Sequence, residues 1–155
     1  MVLHPCERCG EADFPWSRHE IGPGEGGLVS VYEGDCPSCG QGRRFAFAVD
    51  EEPVPPPAYG GPEPSQIIDP GEFYAMAERA AAYARAVPDG HEAAVDALAA
   101  IEEVLKFLPP GADAVPEDAF ASAGGMAVYS AGPERFRRER LESLRDEYRR
   151  ATLAR

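Results

Sequence analysis

Two short segments, Cys6-Glu7-Arg8-Cys9-Gly10 and Cys36-Pro37-Ser38-Cys39-Gly40, hold all four cysteines of this 155-residue chain. In each, the two-residue spacer lets both sulfurs of a tight turn aim at one point. The glycine that follows can take the positive φ angle with which such a turn ends. The 26 residues from Gly10 through Asp35 are long enough for a hairpin to carry the second turn back to the first. That spacing points to a tetrahedral four-thiolate zinc site with Cys6, Cys9, Cys36 and Cys39 as ligands. Redox or disulfide use of the cysteines stays open beside it. A redox dithiol, however, calls for C-x-x-C at a helix start between strands, and here glycines and strand-like sequence flank both pairs. His4 and His19 could each replace a sulfur, but four well-spaced thiolates leave no vacancy, so both are read as solvated. A site closed by four thiolates has no open coordination position for a substrate, so its expected role is structural.

The two knuckles resemble those of the zinc ribbon family, and the resemblance covers about the first 50 residues. Strand patterns support it. Phe45, Phe47 and Val49 alternate with Arg44, Ala46 and Ala48, a period of two with one apolar face. Leu28 to Tyr32 is rich in branched and aromatic residues, and Asp13 to Ile21 would place Phe14 and Trp16 on one side of a third strand. Gly22 to Gly27, "GPGEGG", reads as a loop between the last two of these. The expected product is a three-stranded antiparallel ribbon. Its aromatic face of Phe14, Trp16, Tyr32, Phe45 and Phe47 is too large for so small a sheet to bury alone, so the rest of the chain or a partner covers it, the first being favoured.

Residues 51–68 form a Pro/Gly-rich stretch without periodicity, expected to be an extended linker; a proline-binding domain docking on it is the weaker reading. Residues 69–155 read as a helical domain. Asp69, Pro70 and Glu72 combine an N-cap, a first-turn proline and a capping-box acid, and Phe73, Met76, Ala80, Ala84 and Val87 follow at helical spacing. Asp89 and Glu92 repeat the capping pattern before Val95, Leu98, Ile101, Leu105 and Leu108. Helices are thus expected over about 70–87 and 90–108, then over 116–123, ending at Gly124-Gly125, and over 132–153, with Phe136, Leu141, Leu144, Tyr148 and Ala151 inward. The predicted fold class is α+β: an N-terminal three-stranded antiparallel zinc ribbon (1–50), a Pro-rich linker and a small α-helical domain.

Charge separates the possible functions. The formal net charge is −12. Residues 51–132 carry three cations, Arg79, Arg85 and Lys106, against 14 acids, whereas residues 133–155 carry eight arginines against five acids. Residues 1–50 carry four arginines against eight acids, and a four-thiolate zinc centre would add about two negative charges. Phosphate binding needs concentrated Lys and Arg, which this ribbon lacks. Only the last helix offers a basic stripe, Arg135, Arg137, Arg138, Arg140, Arg145, Arg149 and Arg150, diluted by glutamates. An acidic surface repels phosphates and steers towards basic proteins.

No catalytic motif emerges. "GPGEGG" lacks the setting and the Lys-Ser/Thr of a phosphate loop, G-x-S-x-G and H-E-x-x-H do not occur, and His91 falls in the first turn of a predicted helix, where it is read as solvated. The sequence therefore predicts a non-catalytic, cytoplasmic protein-binding module with structural zinc. Its partner would be a basic protein, as for immunity proteins and antitoxins of nuclease-like toxins; neither nucleic acid nor membrane is expected. The alternative is a nucleic-acid-associated or transcription-related adaptor using the ribbon aromatics and the C-terminal arginines. Arginine-rich, lysine-poor usage with "CxxCG", "DPGEF" and "RFRRERL" makes the chain broadly similar to actinobacterial zinc-ribbon proteins, and that similarity brings no activity with it.

Overall fold

The cysteine knuckles stand on a small antiparallel sheet in the order β1-β2-β3, formed by Arg18–Gly24, Gly27–Asp35 and Gly42–Ala48. The computed structural model describes residues 5–49, 55 and 57–153. His4 and residue 50 lie outside the described residues, as do 51–54 and 56 of the proline-rich stretch. The register explains the two faces. Tyr32 stands opposite both His19 and Phe45, and Ser30 opposite Ile21 and Phe47, so these residues share one side of the pleat. On the other side Glu33 lies between Arg18 and Arg44, with ion pairs of 3.6 and 3.3 Å. These ion pairs thus lie on one face and the aromatic rings on the other, where Arg43 stands beside Phe14 and Phe45.

Two expectations for the ribbon are corrected. Phe14 and Trp16 precede β1 and are not part of it, because Pro15 between them has no N–H to give to a ladder. The Pro15-Trp16 backbone instead crosses tightly over β2 at Gly34, where a Cβ would collide with it. Phe14 is fully buried and meets Phe45 edge-on at 4.8 Å, while Trp16 meets Tyr32 edge-on at 5.6 Å. The expected loop of 22–27 is also shorter: Gly22, Pro23 and Gly24 pair with Val29, Leu28 and Gly27, which leaves Glu25-Gly26 as the turn. Pro23 is tolerated because β1 is an edge strand.

The chain divides into two compact units at 53/54, and the second is helical. It contains α1 (Pro70–Ala86), α2 (His91–Lys106), α3 (Ala123–Ser130) and α4 (Arg138–Leu153), with short 3-10 turns at Glu117–Ala119 and Pro133–Phe136. α2 packs against both α1 and α4, and α3 against α1. Phe73 and Tyr74 of α1, Ile101 and Val104 of α2, Phe136, and Leu141, Leu144 and Tyr148 of α4 form the centre of its core. Phe136 is wholly buried, with Tyr74, Phe120 and Tyr129 rings 5.0, 4.7 and 5.9 Å from its own. Alanines line much of the α1 and α2 contribution: Ala77, Ala81 and Ala84, with Ala94, Ala97 and Ala100. Met76, Ala80, Leu98 and Leu105 are only partly buried. The inward stripes are therefore rotated from those expected, because a hydrophobic-pattern reading gives alanine too little weight against larger side chains.

The α1 cap forms as its sequence suggests: Asp69 Oδ1 accepts from Glu72 N–H at 3.0 Å and Glu72 Oε2 from Asp69 N–H at 3.4 Å. The repeat before α2 does not form. Gly90 is the N-cap there with no side-chain cap, because it lies on the Ala84 backbone where any Cβ would collide. The expected helix over 116–123 gives way to the 3-10 turn and to α3, which starts where a break was expected. Ser122 caps α3 by accepting from Gly125 N–H at 2.8 Å; a Cβ on Gly125 would strike the Asp69 carboxylate, and one on Gly71 would strike the Gly125 backbone. The last helix likewise begins at Arg138, after a 3-10 turn, and Ala151 is exposed.

Asp69 joins these two helix starts, because its second oxygen, Oδ2, accepts from Ser122 N–H at 2.8 Å. The residue is buried, so removing its carboxylate leaves two N–H groups without partners. Asp69→Ala is expected to destabilise the helical unit by about 2–4 kcal/mol. Urea unfolding followed by helical circular dichroism reads the effect, and an unchanged midpoint would contradict this role.

Part of the expected linker is packed. Lys106 Nζ donates to the carbonyls of Gly60 (3.3 Å) and Gly61 (2.6 Å), Tyr59 meets Phe73 edge-on at 5.5 Å, and Ser65 Oγ accepts from the N–H groups of Ile67 and Ile68. These residues belong to the helical unit.

Candidate metal centre

Each knuckle is closed by its own backbone. Gly10 N–H donates to Cys6 O at 2.7 Å and Gly40 N–H to Cys36 O at 2.9 Å, with φ of 77° and 69° at the two glycines. A side chain at either position would be strained, which explains glycine after both pairs. β2 leads into the second knuckle and β3 leaves it, so the sheet carries Cys36 and Cys39 to the first.

The four sulfurs converge, all within 4.8 Å of one another. Cys6 and Cys39 Sγ are 3.7 Å apart and Cys9 and Cys36 Sγ 3.5 Å apart. A disulfide bond is about 2.05 Å, so none of the cysteines is bridged. The edge of a tetrahedron built on metal–sulfur bonds of about 2.3 Å is about 3.8 Å, close to both separations. The donor set is thus sized for one tetrahedral ion of a thiophilic metal. Cys6 and Cys36 are buried, Cys39 is half-buried and Cys9 is exposed. His19 is not among the ligands: its ring stacks on Tyr32 at 4.3 Å, and Nε2 lies 2.7 Å from Ser30 Oγ.

The sulfurs share protons unequally. The N–H of Arg8 is the main cause that brings the Cys6 thiol down to about 7, against the opposing effect of burial. Cys9 has a favourable hydrogen bond from Glu11 N–H, yet its thiol is pushed up to about 12 by the Cys36 sulfur, burial and the remaining two sulfurs. Binding a cation to four thiolates must displace the proton that Cys9 holds so firmly. Affinity therefore falls as pH falls. Occupancy read with a chromophoric chelator is expected to fall as pH is lowered through about 7, where the Cys6 thiol takes up a proton as well, and retention unaffected by acid would contradict the thiolate ligation.

Two supports were not legible in the sequence. Ser38 Oγ donates to Glu11 Oε2 at 2.6 Å, tying the second knuckle to the exit of the first, and this hydroxyl holds the Glu11 carboxyl below its usual range. The Arg43 guanidinium lies 5.1 and 5.2 Å from the Phe14 and Phe45 rings and donates to the carbonyls of Asp13 (2.8 Å) and Glu11 (3.5 Å). A serine inside the second knuckle would have been the only signal, because the partner comes from a non-local register.

The centre is zinc-ribbon-like: two cysteine knuckles on a three-stranded antiparallel sheet. No family model, curated protein or solved structure matches the chain. No helix among the described residues is long and apolar enough to cross a membrane.

Proposed function

We propose that this chain is a non-catalytic interaction module in which a structural zinc ion organises the ribbon and an acidic helical domain binds and masks a basic protein, as immunity and antitoxin proteins do. Four thiolates in tetrahedral array are the donor set zinc takes in structural sites, with no position left for a substrate. Free thiols at such distances also suit a reducing compartment, so the cytoplasm is the proposed location.

The observation that carries the reading is how charge is used. Glu78, Asp89, Glu92 and Asp96 on and beside α1 and α2 are exposed. The arginines of α4 are partly spent: Arg138 donates to the Ala112 and Pro109 carbonyls and pairs with Glu142, Arg145 pairs with Asp146, and Arg149 with Glu102. The unmatched surface charge of the helical domain is acidic, which favours a basic protein over phosphates.

Purification of the full chain at low salt from its own cells is expected to bring down one basic protein in stoichiometric amount. Salt-dependent binding to random duplex or single-stranded nucleic acid tighter than about 1 µM would overturn the reading in favour of the nucleic-acid adaptor.

A further inference from the structure

We propose that the open groove lined by Tyr59, α1 and the start of α2 is a docking site for arginine side chains of a basic protein segment; this rests on the reading of the chain as a binder of a basic protein. The groove has a volume of about 530 Å³, within the usual range for ligand sites. Met76, Ala80 and Ala93 give it apolar surface, and the rings of Tyr59 and Tyr83 are 45% and 61% exposed. Tyr59 is held in place edge-on to Phe73.

Charge identifies the occupant. Asp89, Glu92 and Asp96 line the groove against a single cation, Arg79. Among the described residues none of these three carboxylates makes a hydrogen bond or ion pair, whereas Glu103 and Glu102, further along α2, pair with Lys106 and Arg149. Asp96 faces Tyr59, whose hydroxyl is pushed up by burial first and then by the charges of Asp96 and Glu103. A groove with exposed tyrosine rings beside unneutralised carboxylates suits guanidinium better than ammonium. The planar guanidinium stacks on a ring face, is weakly hydrated and still directs N–H groups sideways to carboxylates, whereas the compact ammonium holds its water.

The test uses the full chain, zinc-loaded, and two fluorescent nonapeptides, oligo-arginine and oligo-lysine, at fixed physiological salt. The wild type is expected to bind oligo-arginine about fivefold more tightly than oligo-lysine. Tyr83→Ala is expected to abolish that preference. The double change Glu92→Gln with Asp96→Asn is expected to weaken oligo-arginine binding about tenfold, and Arg79→Gln to strengthen it about threefold. Glu117→Gln with Asp118→Asn, the same charge change outside the groove, is expected to alter it less than about twofold. All the substituted side chains are exposed, and an unchanged melting temperature verifies folding. Equal affinity for both peptides, or equal losses from the groove and control pairs, would overturn the groove while leaving a basic partner bound by diffuse acidity. Absence of binding to either peptide would overturn the groove, and absence of any co-purifying basic protein as well would also overturn the proposed function.

Discussion

Withdrawing the metal is expected to unfold the ribbon and leave the helical unit standing. Residues 5–49 fully bury one large side chain, Phe14; the other buried hydrophobic residues there are Cys6 and Cys36 of the sulfur cluster. A unit of that size has too little core to fold alone, and the free energy of binding zinc to four thiolates, about 10–16 kcal/mol in small zinc domains, becomes folding free energy. The helical unit has its own core, from Phe73 to Tyr148. Treating the full chain with a strong chelator should therefore remove the strand signal and the fixed near-ultraviolet signal of Trp16, the only tryptophan, while helical circular dichroism and its melting temperature persist. Cys36→Ser should reproduce the effect by removing a buried sulfur of the cluster. Strand signal that persists after complete metal removal would show that the sheet folds without the ion.

Lys106→Met is expected to cost the helical unit about 3–5 kcal/mol. Lys106 is the only lysine in the chain. Its ammonium has three N–H groups, and three acceptors surround it: Gly60 O, Gly61 O and Glu103 Oε1, the last at 2.6 Å. The Glu103 side chain is only 4% exposed, so methionine would leave a buried carboxylate with no counter-ion and two carbonyls without their donor. The double change Lys106→Met with Glu103→Leu should recover much of the loss, since replacing both charges removes the stranded ion. Urea midpoints of the single and double variants give both values. A single variant within about 1 kcal/mol of wild type would mean that the pair is solvated and that residues 60–61 are not held by it.

Local sequence was informative wherever one turn or one cap decides the structure. The knuckles, the alternation of β3 and the Asp69-Pro70-x-Glu72 box all rest on residues within a few positions of one another. The misread features depend on neighbours distant in sequence. Gly90 displaces Asp89 as cap because Ala84 lies against it, and Gly125 sits in the first turn of α3 because the Asp69 carboxylate leaves room there only for hydrogen. Trp16 leaves the strand because a proline precedes it, a signal that was present in the sequence and was outweighed by the aromatic pattern. Lys106 counted only as one cation among many acids. Its being the sole lysine among arginines was the one hint that a compact, three-donor ammonium is required there. The clustering of the four cysteines could be read from their spacing, but Glu11, Ser38 and Arg43, which fix the cysteine-bearing turns, become partners only through the sheet register.

X-ray absorption at the metal edge of the full chain tests the four-sulfur centre most directly. One zinc per chain, with a first shell of four sulfurs at about 2.3 Å, is the expected result. Nitrogen or oxygen in that shell, or thiols found oxidised to disulfides in metal-free protein, would contradict it.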